Sequence, residues 1–447
     1  MFTALLLFEF LTSSAAAGTS AHHAHTLNRP AEPPRPIMAL PSEGRHHSTV
    51  YGYVYGGPAA TERVDFDSVT HVSWHRFEMD SAGNISDESG WTSYAPGFVS
   101  AAHAAGVKVH LTLMPISIAD MQSTLLSPTH RANAVSQMAS FVNSYGADGV
   151  NIDFESLDST TKTELVSFTQ EMSAAVDEVY LSTPTKDWGN GYDYDALAYA
   201  SDGLVIMGYD HHVAGSDPGP VSMLDSGDLW DFWSLVWALE DYRTWGTPDS
   251  HIVMALPLYG RKWNAASAEV PGVQTSACEE SCVPTWNGCT ETIFPTYGRS
   301  YEPFSATSWT WTGEQQIWCD DLGSMEEKLL WALSEGIQGI GFWEVGYAAG
   351  DTELWTLVDD LTMTPEEEPD SGTPDTGATD TGATDTDFPD TGMPIDTGSV
   401  AEASTEEEKV ASGCSCSAAP FTLRNMGSSL VVALFAGLVA RRRRADH

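Results

Sequence analysis

Asp148-Gly149-Val150-Asn151-Ile152-Asp153-Phe154-Glu155 is the stretch on which the fold turns. β-Branched and aromatic residues in short alternation read as a buried strand. Val150, Ile152 and Phe154 then point one way. Asp153 and Glu155, two apart, share the other face, because a strand repeats every two residues. Asp148 and, less cleanly, Asn151 sit among them. Two acids buried side by side are costly unless chemistry uses them. Like charges at that spacing do not ionise together cheaply, so one carboxyl keeps its proton near neutral pH. Acid-catalysed cleavage of a glycosidic bond needs such a protonated carboxyl. The plainer alternative is an acidic strand end that faces solvent or binds a cation.

On either side of this stretch the pattern repeats. Apolar β-runs occur at 50–55, 69–74, 107–113, 149–154, 179–183, 203–207, 252–258 and 337–343. Helix-like segments lie between most of them, at 98–105, 131–145, 162–179, 229–245 and 325–333. Strands alternating with helices predict an α/β fold, a (β/α)8 TIM barrel over residues 48–363. Near-continuous apolar strands suit a parallel sheet covered by helices. The span exceeds the usual barrel, so a small cysteine-containing insertion is expected between strands 7 and 8, at about 264–320. Active sites of this fold lie at the C-terminal ends of the strands. Asp153 and Glu155 end the fourth.

The chain has 447 residues and a formal net charge of -42, from 62 acids against 20 bases. Nucleic-acid binding is excluded as an expectation, since phosphate affinity rests on Lys and Arg. The acidic surface fits an exported protein. Its 15 Trp, 15 Tyr and 16 Phe suit stacking on sugar faces, although most aromatics in any domain are core.

Residues 1–17 resemble a signal peptide, with Leu5–Phe8 and Phe10-Leu11 before Ala15-Ala16-Ala17. No early Lys or Arg precedes them, and Glu9 interrupts the apolar run. Residues 18–47 read as a flexible leader; its histidines (His22, His23, His25, His46, His47) belong to that polar segment. Residues 364–410 form an acidic linker in which Asp-Thr-Gly recurs, with little to bury. The tail, 411–447, holds Cys414 and Cys416, an apolar run from Gly427 to Ala440 and four arginines, Arg441–Arg444. It resembles the bacterial sorting tails called MYXO-CTERM, which implies surface anchoring or cleavage near Cys414. The alternative is an ordinary single-span anchor with its positive end inside. The other four cysteines, Cys278, Cys282, Cys289 and Cys319, suit two disulfides in an oxidising compartment, with the pairing open. Zinc is the weaker reading: no Cys-x2-Cys pairs with another such pair, and no His sits at ligand spacing nearby.

Four motifs in order resemble glycoside hydrolase family 18, the chitinase-like barrels, over nearly the whole folded part. The strand-four motif Asp-x-x-Asp-x-Asp-x-Glu aligns with Asp148, Asn151, Asp153 and Glu155. Met207-Gly208-Tyr209-Asp210 matches the strand-six motif. Ala255–Arg261 followed by Trp263 matches strand seven, and Gly341-Phe342-Trp343-Glu344 matches strand eight. The resemblance implies substrate-assisted retention. Glu155 is then the acid/base. Asp153 receives the acetamido N–H and helps to keep Glu155 protonated, and the Tyr209 hydroxyl orients the acetamido oxygen. Trp343 floors the subsite, with Asp210, Met207, Asn151, Tyr53, Arg261 and Tyr259 as binding or supporting groups. For each, a packing or ion-pair role is the alternative, core for Trp343 and Tyr209 and an ion pair for Arg261. Trp91, Trp188 and Trp309 are candidate outer platforms without a motif.

Two departures bear on substrate. Asn151 stands where the family's chitinases commonly carry Asp, which shifts the expected pH optimum. Strand three ends in Thr112-Leu113-Met114-Pro115 rather than a Ser-x-Gly-Gly-like motif. With Gly219-Pro220-Val221, this looks more like the branch containing cortex-lytic glucosaminidases. The expectation is an exported, surface-attached, monomeric glycosidase. It needs no cofactor or metal and touches membrane only through its tail. It cleaves chitin or chitooligosaccharides, with peptidoglycan as the alternative substrate and a non-catalytic carbohydrate-binding protein as the rival.

Overall fold

The computed structural model describes residues 46–363, apart from 231 and 232. The signal peptide, all but the last two leader residues, the linker and the sorting tail with Cys414 and Cys416 lie outside the described residues. His46, placed in the leader by its sequence, is buried; it bridges to Met363 and its Nδ1 lies 2.9 Å from Thr362 Oγ1.

Eight parallel strands close into a ring: β1 Thr49–Tyr55, β2 His71–Met79, β3 Lys108–Pro115, β4 Gly149–Ile152, β5 Glu178–Pro184, β6 Gly203–Met207, β7 Ile252–Pro257 and β8 Gly339–Trp343. Each pairs with its neighbours in chain order, and β8 pairs back onto β1. The (β/α)8 expectation therefore holds. A short strand, Ile85–Asp87, adds antiparallel to β2.

Outside the ring run α1 Trp91–Ala104, α2 Ile118–Leu125, α3 Pro128–Tyr145, α4 Lys162–Ser173, α5 Tyr194–Ala200, α6 Leu235–Thr244, α7 Leu322–Ser334 and α8 Thr352–Thr362. Local chemistry sets their ends. In α3, the Ser127 hydroxyl caps the His130 N–H, Pro128 occupies the first turn, and Gly146 closes the helix at φ 72°. Pro128 also separates α2 from α3, two helices where the sequence pattern suggested one. The helix expected to run to Val179 stops at Ser173, because Glu178 already belongs to β5. No α-helix joins β1 to β2; a 3₁₀ turn, Thr61–Arg63, does so. Among the described residues, no helix is long and apolar enough to cross a membrane.

Strand alternation sorts the side chains. Val150, Ile152, Leu111, Val179 and Leu204 pack outward under the helices. Inward, the barrel is aromatic and polar rather than aliphatic. Tyr51 of β1 meets Tyr180 of β5, from the opposite side of the ring, with centroids 5.2 Å apart, and Tyr53 lies 5.3 Å from Tyr51. The Tyr53 hydroxyl reaches Ser182 Oγ of β5 at 2.8 Å. Small residues make room: a Cβ on Gly203 would stand 2.4 Å from the Tyr180 ring.

The insertion between β7 and β8 is a five-stranded antiparallel sheet that includes Arg261–Ala265, Thr307–Trp311 and Gln315–Cys319. Its cysteines form Cys278–Cys282 and Cys289–Cys319 disulfides, which removes the zinc reading. Lys328 of α7 pins this sheet to the barrel. Fully buried, its ammonium donates to both Asp320 oxygens (2.6 and 2.8 Å), to the Ser222 carbonyl (2.7 Å) and to Thr307 Oγ1 (3.1 Å).

Candidate active site

β4 delivers the acids. The regular strand ends at Ile152, two residues sooner than the sequence suggested, although the Asp153 N–H still donates to the Leu113 carbonyl at 2.9 Å. Asn151 and Asp153 face the interior. Asp148 does not: it lies at the other end of β4, where its carboxylate takes the Val109 N–H (2.7 Å) and faces His103 Nε2 (2.9 Å). Its part in the motif is structural. Asn151 is held in a closed triangle, donating to the Tyr53 hydroxyl at 3.1 Å and accepting from Ser182 Oγ at 2.9 Å.

Asp153 is 4% exposed, and its Oδ1 has no hydrogen-bond partner among the described residues. Burial pushes its carboxyl well above the ordinary aspartate range, and the neighbouring Glu155 charge adds to that; Ser182 and the Arg76 charge pull the other way. Glu155 stands open to solvent at the mouth of the barrel. Enough protein surrounds it for desolvation to raise its pKa, and the Asp210 charge raises it further. The sequence reading gave that second influence to Asp153. A deeply buried Asp153 holds its own proton instead, and a neutral acid exerts little field on its neighbour.

The turn after β6 brings Tyr209 and Asp210 to the same mouth. Tyr209 is half-buried and, like Trp343, packs against the cluster of Tyr51, Tyr53 and Tyr180; burial first, and then nearby groups including Asp153 and Glu155, raise its pKa. Asp210 adopts φ 60°, uncommon for a residue with a side chain. Its Oδ1 accepts from the Tyr259 hydroxyl (2.6 Å) and from Arg261 Nη2 (2.7 Å), which hold it there. Arg261 is thus an ion-pair partner within the rim. Met207 contributes through its carbonyl, which accepts from Thr185 Oγ1 at 2.6 Å.

Trp343 ends β8. Its ring lies 5.3 Å from Tyr53, 5.7 Å from Tyr55 and 4.9 Å from His75. Beneath it Glu344 is fully buried, takes Arg63 Nη2 at 2.6 Å and accepts the Gly346 N–H at 3.1 Å. Sequence reasoning missed Tyr55, His75, Arg76 and Ser182. Strand parity was the available signal: Tyr55 follows Tyr53 by two, and His75 follows Ser73.

The three loose tryptophans part company. Trp91 is not a platform: it is wholly buried against Trp74 and Tyr145. A helix start on the barrel wall buries its apolar side, and this is one. Trp309 lies flat on Trp318, centroids 5.3 Å apart, so one face is covered. Trp188 is 67% exposed, with the Lys186 ammonium 3.6 Å from its ring centroid.

A family model described as glycosyl hydrolases family 18 matches residues 51–348. A Bacillus subtilis protein named as a sporulation-specific glycosylase, YdhD, is 26% identical over 267 residues, 57% of this chain and 60% of its own length. A Dictyostelium discoideum protein named as a probable di-N-acetylchitobiase is 25% identical over 46% of this chain and 62% of its own. The chain thus spans less than two thirds of either relative. The fold superposes on a Cycas revoluta chitinase solved with allosamidin, at a TM-score of 0.65 and 15% identity, covering 70% of this chain and 99% of that one. An Ostrinia furnacalis group IV chitinase gives a TM-score of 0.66 at 16% identity, with the same coverage.

Proposed function

Since the chain belongs to glycosyl hydrolase family 18, we propose that it is a retaining glycosidase that cleaves β-1,4 bonds after N-acetylglucosamine in chitin or chitooligosaccharides. The observation that carries this reading is the unpartnered, buried Oδ1 of Asp153 beside a solvent-facing Glu155. A buried oxygen without a donor is destabilising. An acetamido N–H arriving in the cleft satisfies it.

The steps follow from the proton held by the two acids. In the empty site Asp153 carries it. An acetamido N–H at Oδ1 favours the ionised form of Asp153 and so loads the proton onto Glu155. Asn151 sharpens this exchange, because an amide is no third holder for the proton. Glu155 then protonates the leaving glycosidic oxygen as the acetamido oxygen attacks the anomeric carbon, which forms an oxazolinium ion. The Tyr209 hydroxyl orients the attacking oxygen, and anionic Asp153 stabilises the positive charge. Ionised Glu155 next takes a proton from water, which opens the ring with retention. Trp343 provides the apolar floor, and Tyr53 with Asn151 and Ser182 fixes the wall behind it.

A second reading, peptidoglycan-directed glucosaminidase, is favoured by the relative named as a sporulation-specific glycosylase and by Leu113-Met114-Pro115 at the end of β3. Export belongs to the same proposal and is supported by the two disulfides, which persist in oxidising compartments. The test is to incubate the purified protein with chitooligosaccharides and with peptidoglycan and to identify the products. Glu155→Gln is expected to lower turnover by about 10²–10⁴-fold with binding kept. Unchanged turnover removes Glu155 from the mechanism, and binding without any cleavage by the unaltered protein supports the carbohydrate-binding rival.

A further inference from the structure

At the opposite end of the barrel from these acids, His71 opens β2, His110 lies within β3 and Glu178 opens β5. All three are buried. Glu178 Oε2 is 3.0 Å from His110 Nε2 and 3.4 Å from His71 Nε2, and the three atoms lie within 4.8 Å of one another. We propose that His71, His110 and Glu178 form a structural binding site for one divalent late first-row metal ion of zinc-like chemistry, at the floor of the barrel.

Geometry, donor type and surroundings agree on this. A tetrahedral ion with bonds of about 2.0–2.1 Å sets its ligand atoms about 3.3 Å apart. The two spacings to Glu178 bracket that value. Two imidazoles and a carboxylate suit zinc and its neighbours; calcium and magnesium prefer all-oxygen sets. A cavity of about 240 Å³, lined by His71, Lys108, Glu178, Tyr180, Asp202 and Gln338, reaches the cluster from outside. It gives an entry path and room for water in the fourth position.

The outer contacts also fit. His71 Nδ1 lies 2.8 Å from Thr70 Oγ1, and His110 Nδ1 lies 3.0 Å from the Tyr51 hydroxyl. A hydroxyl accepts from Nδ1–H as readily as it donates to Nδ1. Without metal, both Nε2–H groups donate to Glu178. With metal, the same neutral rings carry the proton on Nδ1 and turn both Nε2 lone pairs inward. The exchange is a change of tautomer, oriented by outer partners as metal-bound histidines usually are. Lys108 engages the other oxygen of Glu178, which leaves Oε2 to the ion. Glu178, Lys108 and Asp202 are the charged groups at this cavity. The strands joined are β2, β3 and β5, and position at the N-terminal face marks a stabilising role. Sequence spacing hid the site, since the three residues are scattered over three strands.

The full chain, freed of metal by chelation, is to be titrated with Co²⁺ and with Zn²⁺. Expected results are the visible spectrum of tetrahedral Co²⁺, displaced by Zn²⁺, and a thermal midpoint that rises with Zn²⁺. His71→Asn and His110→Gln should each lose that spectrum and one equivalent of Zn²⁺, while any ion on the leader histidines stays. A spectrum that survives in either variant, or none in the unaltered chain, overturns the site. If either variant fails to fold, Lys108→Gln decides: it leaves all three ligands and removes a neighbouring cation, so Zn²⁺ should bind at least about tenfold more tightly. Unchanged affinity there overturns the site as well.

Discussion

Lys328→Met is the sharpest test of how the insertion is held to the barrel. The ammonium has four hydrogen-bond contacts, two of them to Asp320, whose side chain is 2% exposed. Burial alone lowers the Lys328 pKa and raises that of Asp320, so each charge depends on the other. Removing the cation leaves a carboxylate with neither water nor a counter-charge. Breaking a buried pair this way costs about 3–5 kcal/mol, whereas replacing both partners by apolar groups is often nearly neutral. For a domain of this size about 1 kcal/mol moves the melting midpoint by about 2 °C, so the single variant should melt roughly 6–10 °C lower. Lys328→Met with Asp320→Leu should recover most of that. Scanning calorimetry on the three proteins measures it. A single-variant shift below about 2 °C, or a double variant no better than the single, refutes the reasoning.

Asp210→Asn tests the field on Glu155. A raised pKa keeps Glu155 protonated to higher pH, and the proposed mechanism starts from the acid form. Removing the anion lowers that pKa, so the alkaline limb of kcat/KM should move to lower pH; a limb that stays put removes Asp210 from the electrostatics. Asp153→Asn should lower kcat by about 10²–10³-fold on N-acetylated substrate with KM less affected, because an oriented acceptor for developing charge is lost; equal loss in both parameters contradicts its role. Cys289→Ser with Cys319→Ser opens a loop whose ends are 30 residues apart, expected to cost about 3–4 kcal/mol in denaturant unfolding. An unchanged midpoint would show the insertion sheet to be self-sufficient.

Much of the barrel was legible because alternation and apolar runs report burial directly. Val150 and Ile152 could only face helices, and that fixed Asn151 and Asp153 inward. The strand-end motifs were legible for the same reason: a carboxylate or a tyrosine after an apolar run has nowhere to be but the mouth. Other features depend on partners far along the chain. Nothing near Trp91 in sequence announces Trp74 and Tyr145 around it. Asp148 sits in the same motif as Glu155, yet it belongs to the floor, and only the register with β3 separates them. The Asp210 influence on Glu155 needed the turn that follows β6.

The side chains that meet across the barrel, Tyr51 with Tyr180 by their rings and Tyr53 with Ser182 by their hydroxyls, have a further consequence. They make the middle of the molecule a bulkhead. Packed side chains part the cavity beneath from the mouth above, and the layer keeps its own polar contacts, Asn151 with Tyr53 and Ser182 on the upper side and Tyr51 with His110 on the lower. The mouth and the His71, His110 and Glu178 cluster are built from opposite ends of the strands, so loops above can be remodelled for new sugars without touching the lower cluster, and the reverse.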